Sequence, residues 1–60
     1  TEKKNVNYTV GMRIKHKKFG EGIIQNIEAE GDDFKLEIMF DKYGFKRLMA
    51  NYTPLEVLEI

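Results

Sequence analysis

Phe34-Lys35-Leu36-Glu37-Ile38-Met39-Phe40 puts Phe34, Leu36, Ile38 and Phe40 on one side of an extended chain and Lys35, Glu37 and Met39 on the other. Side chains of a strand alternate between its faces, so this stretch reads as a half-buried β-strand. Working outward, Gly31-Asp32-Asp33 before it is a turn by composition. Ahead of that turn runs Ile23-Ile24-Gln25-Asn26-Ile27-Glu28-Ala29-Glu30. Ile23, Gln25, Ile27 and Ala29 share one side and Ile24 falls on the other. Apolar residues on both sides fit a strongly bent strand that serves two halves of a small barrel. The two strands and their short joint form a hairpin. On the other flank, Asp41-Lys42-Tyr43-Gly44 is a turn and Phe45-Lys46-Arg47-Leu48-Met49 a further strand.

The two ends of the chain complete the pattern. Met12, Ile14 and His16 share one parity, and Arg13, Lys15 and Lys17 the other, which predicts a strand with a basic outer face. Phe19-Gly20-Glu21-Gly22 reads as a tight connection. Ala50-Asn51-Tyr52-Thr53 lacks strand patterning and suits a single helical turn. Leu55 to Ile60 is a short last strand, with Pro54 at its first position, where a missing N–H is tolerated. Glycines at 11, 20, 22, 31 and 44 leave pieces too short for a stable helix. The expectation is all-β: a small five-stranded SH3/Tudor-like barrel, closed so that few edges stay open. Residues 1–9 are expected to be a flexible linker end and residues 10–60 the Tudor-like domain.

Sixty residues allow one domain with a thin core. There is no cysteine, so no disulfide or thiolate zinc site staples the chain, and a cytoplasmic setting is expected. No apolar run approaches the length of a membrane helix, and none of the sequence reads as a signal peptide. Ten basic and ten acidic residues cancel. A neutral domain gains little general attraction to a phosphate backbone. The charge is nevertheless divided. Residues 1–20 carry Lys3, Lys4, Arg13, Lys15, Lys17 and Lys18 against Glu2, and residues 21–41 carry seven acids against Lys35. Such polarity suits oriented docking to a protein.

Groups for catalysis are missing. The chain has one histidine and neither serine nor cysteine. A nucleophile needs a positioned base and an orienting group. The chain therefore reads as a non-enzymatic binding module with no cofactor, acting as a monomer. Glu28, Glu30, Asp32 and Asp33 cluster at a turn without the spacing of a calcium loop, and read as a solvated turn. His16 is expected to be a partly buried structural residue holding a backbone carbonyl. Phe34 and Phe40 are expected in the core and Phe19 at a barrel end. A cage for a methylated cation would need Tyr43, Phe45 and Tyr52 to converge, and ordinary core packing is the preferred reading. Lys46 and Arg47 point to opposite faces. Leu48 shares a side with Lys46, and Phe45 and Met49 with Arg47, so one of the two basic residues sits beside apolar neighbours at a rim. A basic group beside exposed apolar area is the composition of a protein-docking spot. Arg13, Lys15, Lys17 and Lys18 are the alternative, a candidate nucleic-acid-binding strip.

Two blocks carry a family resemblance. Gly11-Met12-Arg13-Ile14-Lys15-His16-Lys17-Lys18-Phe19-Gly20-Glu21-Gly22 resembles the opening of the carboxy-terminal domain of UvrD/PcrA-type DNA helicases. Gly44-Phe45-Lys46-Arg47-Leu48-Met49-Ala50 is similar to the same domain's Gly-apolar-Lys-x-Leu-x-Ala strand, and Tyr52 and Pro54-Leu55-Glu56 continue the likeness. The resemblance runs from about Val10 to Leu58. It implies a Tudor-like barrel tethered to an ATP-dependent 3′–5′ helicase motor that lies outside these residues. It further implies docking on RNA polymerase, through its β subunit, in transcription-coupled repair and in removal of RNA–DNA hybrids. UvrB is a second implied partner, with DNA reached weakly or through the motor. By the same resemblance Lys46 takes the polymerase-contact role; Arg47, Phe45 and Tyr43 are expected to supply neighbouring contact area. Some family members have tryptophan where this chain has Arg47.

Overall fold

The alternation along the central stretch becomes a strand that begins at Asp33. The structure, a computed structural model, describes residues 8–59. Its elements are β1 (Arg13–His16), β2 (Gly20–Glu30), β3 (Asp33–Phe40), β4 (Gly44–Met49), a 3-10 turn over Ala50–Tyr52, and β5 (Leu55–Glu59). Pro54 stands one residue before β5 rather than opening it. Of the expected linker, residues 1–7 lie outside the described residues, as does Ile60 of the expected last strand. Tyr8 packs against the core, and burial pushes its phenol above its ordinary pKa.

The strands form one antiparallel sheet in the order β4-β3-β2-β1-β5. The all-β, five-stranded expectation holds, but the barrel is not closed by strand pairing. Among the described residues β4 and β5 do not pair with each other. The 3-10 turn carries the chain away from β4, and β5 then pairs with β1 through Ile14↔Val57 and His16↔Leu55.

β2 is the bent strand. Its start pairs with β1 over Gly20–Ile23, and its length from Gly22 to Glu30 pairs with β3. The register slips between Ile24↔Ile38 and Asn26↔Glu37, leaving Gln25 as an extra residue. Such a bulge bends a strand and resets which side faces inward. Ile24 is buried before it, and Ile27 packs against the core after it, although the two are three positions apart. The shared side of Ile23, Gln25 and Ile27 expected from strict alternation is therefore broken at Gln25.

Met12, Ile14, Ile24, Leu36, Ile38 and Phe40 form the buried core. Burying each such side chain contributes about 1.5–3 kcal/mol relative to leaving it in water. Tyr8, Phe19, Ile27, Leu48, Ala50 and Leu55 close around it. Phe34 departs from expectation and is 51% exposed. It pairs with Ala29, one position beyond Lys35↔Met49, where β4 ends, so no strand edge covers it.

The acidic turn is braced rather than merely solvated. Lys35 Nζ lies 3.0 Å from Glu28 and 3.7 Å from Glu30, and the Glu28 hydrogen bond and charge raise the lysine's pKa. Asp33 Oδ1 accepts the backbone N–H groups of Phe34 at 2.7 Å and Asn51 at 2.9 Å. No cluster of metal-ligating side chains occurs among the described residues. Nor is any described helix long and apolar enough to cross a membrane.

Candidate functional site

The cross-strand register decides which way Lys46 and Arg47 point. Lys46 lies opposite Ile38 and Leu48 opposite Leu36, so both share the face of the buried core residues. Phe45 lies opposite Met39 and Arg47 opposite Glu37, on the outer face. Lys46 is thus the basic residue at the apolar rim. Its ammonium lies 4.9 Å from the centroid of the Phe19 ring. Arg47 lies on the other face, where its Nε donates to Glu37 Oε2 at 3.1 Å and its guanidinium sits 5.3 Å from the Phe45 ring centroid.

Phe19 reaches Lys46 because the β1–β2 connection is locked. Lys17, Lys18 and Phe19 form the turn. His16 Nδ1 accepts the N–H of Lys18 at 2.9 Å and that of Phe19 at 3.0 Å. The expected role of His16 is reversed in sign: the ring holds backbone donors, not a carbonyl. An accepting Nδ1 assigns the proton of the neutral ring to Nε2. The imidazole stacks on Phe19 at 4.4 Å and 22° between planes. Phe40 and Tyr43 meet Phe19 at 5.4 and 5.3 Å. Phe19 accordingly sits at the end of the core, as expected.

Of the four residues expected to surround a docking spot, the structure brings Lys46 and Tyr43 together around Phe19. Tyr43 is 56% exposed and borders the same ring that carries the ammonium. Phe45 and Arg47 lie on the opposite face of β4, away from the Phe19 ring. No aromatic cage forms: among the described residues Tyr43, Phe45 and Tyr52 make no ring contact with one another, and Tyr52 is 84% exposed. His16 is the structural residue expected, and it also connects to Lys46 through Phe19, a link that the sequence pattern does not state. The spacing His16-x-x-Phe19-Gly20 was the available signal, since a three-residue turn returns the chain to the ring.

The candidate basic strip is not uniform. Arg13 Nη1 lies 3.1 Å from Glu21 and 3.3 Å from Asp41, so acids on neighbouring segments offset its charge. Lys15 and Lys17 line a shallow recess with Pro54, Leu55 and Glu56. Lys18 is exposed. Among the described residues, ion pairs hold Arg13, Lys35 and Arg47 but not Lys15, Lys17, Lys18 or Lys46.

Comparison with known proteins places this surface in a family setting. The family model described as PcrA/UvrD tudor domain matches residues 10–57. DNA helicase II of Escherichia coli strain K12 is 45% identical over 49 residues, covering 82% of this chain and 7% of that protein. DNA helicase II of Salmonella typhimurium is 41% identical over 54 residues, 90% of this chain and 8% of that protein. The ATP-dependent DNA helicase PcrA of Staphylococcus aureus strain Mu50 is 37% identical over 53 residues, 88% of this chain and 7% of that protein. The chain therefore spans only a small fraction of the length of these relatives.

Proposed function

The chain belongs to the PcrA/UvrD tudor domain family, and from that premise we propose that it is a non-catalytic docking module through which a DNA helicase binds RNA polymerase. In this reading it couples an ATP-dependent 3′–5′ helicase in the cytoplasm to transcription-coupled repair and R-loop removal. The observation that carries the reading is the environment of Lys46. Arg13, Lys35 and Arg47 each face a carboxylate, whereas Lys46 faces a ring. A ring attracts the ammonium without neutralising it. The charge stays available beside the exposed Tyr43, an aromatic residue of the kind enriched at protein interfaces.

Lys46 donates to an acid or a backbone carbonyl of the polymerase β subunit, a charge-assisted contact. Tyr43 adds apolar area beside it. Arg47 and Phe45 contribute at the margin, where β4 exposes its outer face. So small a patch suits a weak, transient complex. The test is affinity capture from bacterial lysate with this chain as bait. Capture of RNA polymerase that is lost with Lys46→Ala supports the reading. Equal capture by a folded Lys46→Ala chain overturns it.

A second reading, DNA binding, has one observation in its favour: Lys15, Lys17 and Lys18 lie close in sequence and carry no ion pair among the described residues. Zero net charge and the pairing of Arg13 weigh against it. UvrB, the alternative protein partner, is tested by the same capture, which would retain UvrB in place of polymerase.

A further inference from the structure

We infer that Phe19, braced by His16, is the positioning residue that presents the Lys46 ammonium to its partner; the inference rests on the docking role proposed for Lys46. A lysine on an exposed strand swings on a flexible four-carbon stem, and immobilising such a side chain on binding has an entropic cost. Pairing it with a carboxylate would hold it still, as Glu37 holds Arg47, but would use up the charge. A ring beneath the ammonium restrains it differently. Attraction to the π face leaves the N–H donors able to reach an incoming oxygen.

This restraint works only if the ring itself is fixed, and three contacts fix it. His16 stacks on Phe19 at 4.4 Å, with its own plane held by two backbone N–H donors on Nδ1. Phe40, 2% exposed, meets the ring at 5.4 Å and ties it to the core. Tyr43 meets it at 5.3 Å. The turn over 17–19 is thereby coupled to β4, an element it does not neighbour in the sheet. His16 and Phe19 need not touch the partner; they act through Lys46.

Phe19→Leu keeps an apolar side chain and removes the π face, and Phe19→Tyr keeps the face. With purified bacterial RNA polymerase as the probe, Phe19→Leu weakens binding about 2- to 5-fold and Phe19→Tyr restores it. In a Lys46→Ala background, Phe19→Leu has no further effect. Proton NMR of the free chain places the Lys46 ε-methylene upfield, under the ring current, in the wild type and in Phe19→Tyr, and at its random-coil position in Phe19→Leu. If Phe19→Leu does not fold, His16→Asn substitutes: it keeps an oxygen acceptor for the turn, removes the stacked ring, and shifts both readouts in the same direction. Equal losses from Phe19→Leu with and without Lys46 would mark a merely structural ring and overturn the inference. So would a wild-type ε-methylene at its random-coil position. Undiminished binding by Lys46→Ala overturns the docking role itself, and the upfield methylene then separates that failure from a failure of the ring geometry.

Discussion

Asp33 Oδ1 accepts the backbone N–H of Asn51 at 2.9 Å, so the start of β3 anchors a 3-10 turn that lies 18 residues further along the chain. The same oxygen takes the N–H of Phe34 at 2.7 Å, and Oδ2 is buried without a partner. Asp33→Ala leaves two backbone donors without their acceptor. The expected loss is about 1–2 kcal/mol, because hydrogen bonds to charged groups exceed neutral ones and this one is partly wet. Thermal unfolding reads it as a fall in midpoint of roughly 4–8 °C per kcal/mol in a domain of this size. An unchanged midpoint would show that the clamp contributes nothing.

Two glycines fail for different reasons when replaced. A Cβ on Gly22 would stand 2.8 Å from the Met39 carbonyl oxygen and 2.9 Å from Phe40 Cα, where backbone cannot give way cheaply. Gly22→Ala is expected to cost about 1–3 kcal/mol by overpacking, and Gly22→Asn more. Gly44 has open space around it but a φ of +78°. Gly44→Ala costs about 1–2 kcal/mol in backbone strain, and Gly44→Asn less, since asparagine tolerates that region. Denaturant midpoints of the four variants check the reversal of the Asn and Ala order between the two sites.

Arg47 is next to Lys46 in sequence and on the other face of β4 in space. Arg47→Ala is expected to keep most of the RNA polymerase capture, since its guanidinium is already engaged by Glu37. Lys46→Ala loses a charge-assisted contact, and binding falls by about an order of magnitude or more. Surface plasmon resonance on the two variants decides between one-faced and wrapped docking: equal losses would mean that the partner covers both faces.

For DNA, the expected outcome is weak binding that weakens further as salt rises. With Lys15, Lys17 and Lys18 carrying no ion pair among the described residues and Arg13 engaged, about three phosphates are met by this strip, giving a log–log salt slope near −2 to −3. Fluorescence titration with single- and double-stranded DNA at two salt concentrations measures it. No detectable binding at low salt removes the second reading.

Tyr8 supplies a pH dependence. Burial raises its phenol pKa in the folded chain, more than the backbone hydrogen bond at Leu55 lowers it. The folded state therefore holds its proton more tightly than the unfolded state does. Stability from this group is present below the unfolded value, about 10, and is lost as pH rises through that value to the folded one. Tyr8→Phe flattens this alkaline loss if Tyr8 is its source. An unaltered profile would assign the loss elsewhere.

Strand order of apolar residues was legible because alternation at Leu36, Ile38 and Phe40 leaves one reading. Phe34 misled because its parity is right and its neighbours are absent: burial needs a covering element, and β4 stops one position short. The opposed faces of Lys46 and Arg47 followed from the period of two alone. Which of them meets the core rim required the register with β3, a long-range fact that no local pattern encodes. The His16 acceptor role was hidden for a related reason. Both a carbonyl and an N–H satisfy an imidazole, and only the path of the turn over 17–19 chooses between them.

Gln25 stands outside the pairing of β2 with β3. Deleting it would carry Ile27 and Ala29 back by one position each, onto the parity that Ile24 already occupies. Every flanking side chain would keep the face it has now, and only the bend would be straightened. Curvature and sidedness, usually inseparable in a strand, are thus uncoupled at one residue. A shortened chain that folds would show that this architecture is dictated by which side chains are hidden, and one that collapses or associates would show that it is dictated by shape.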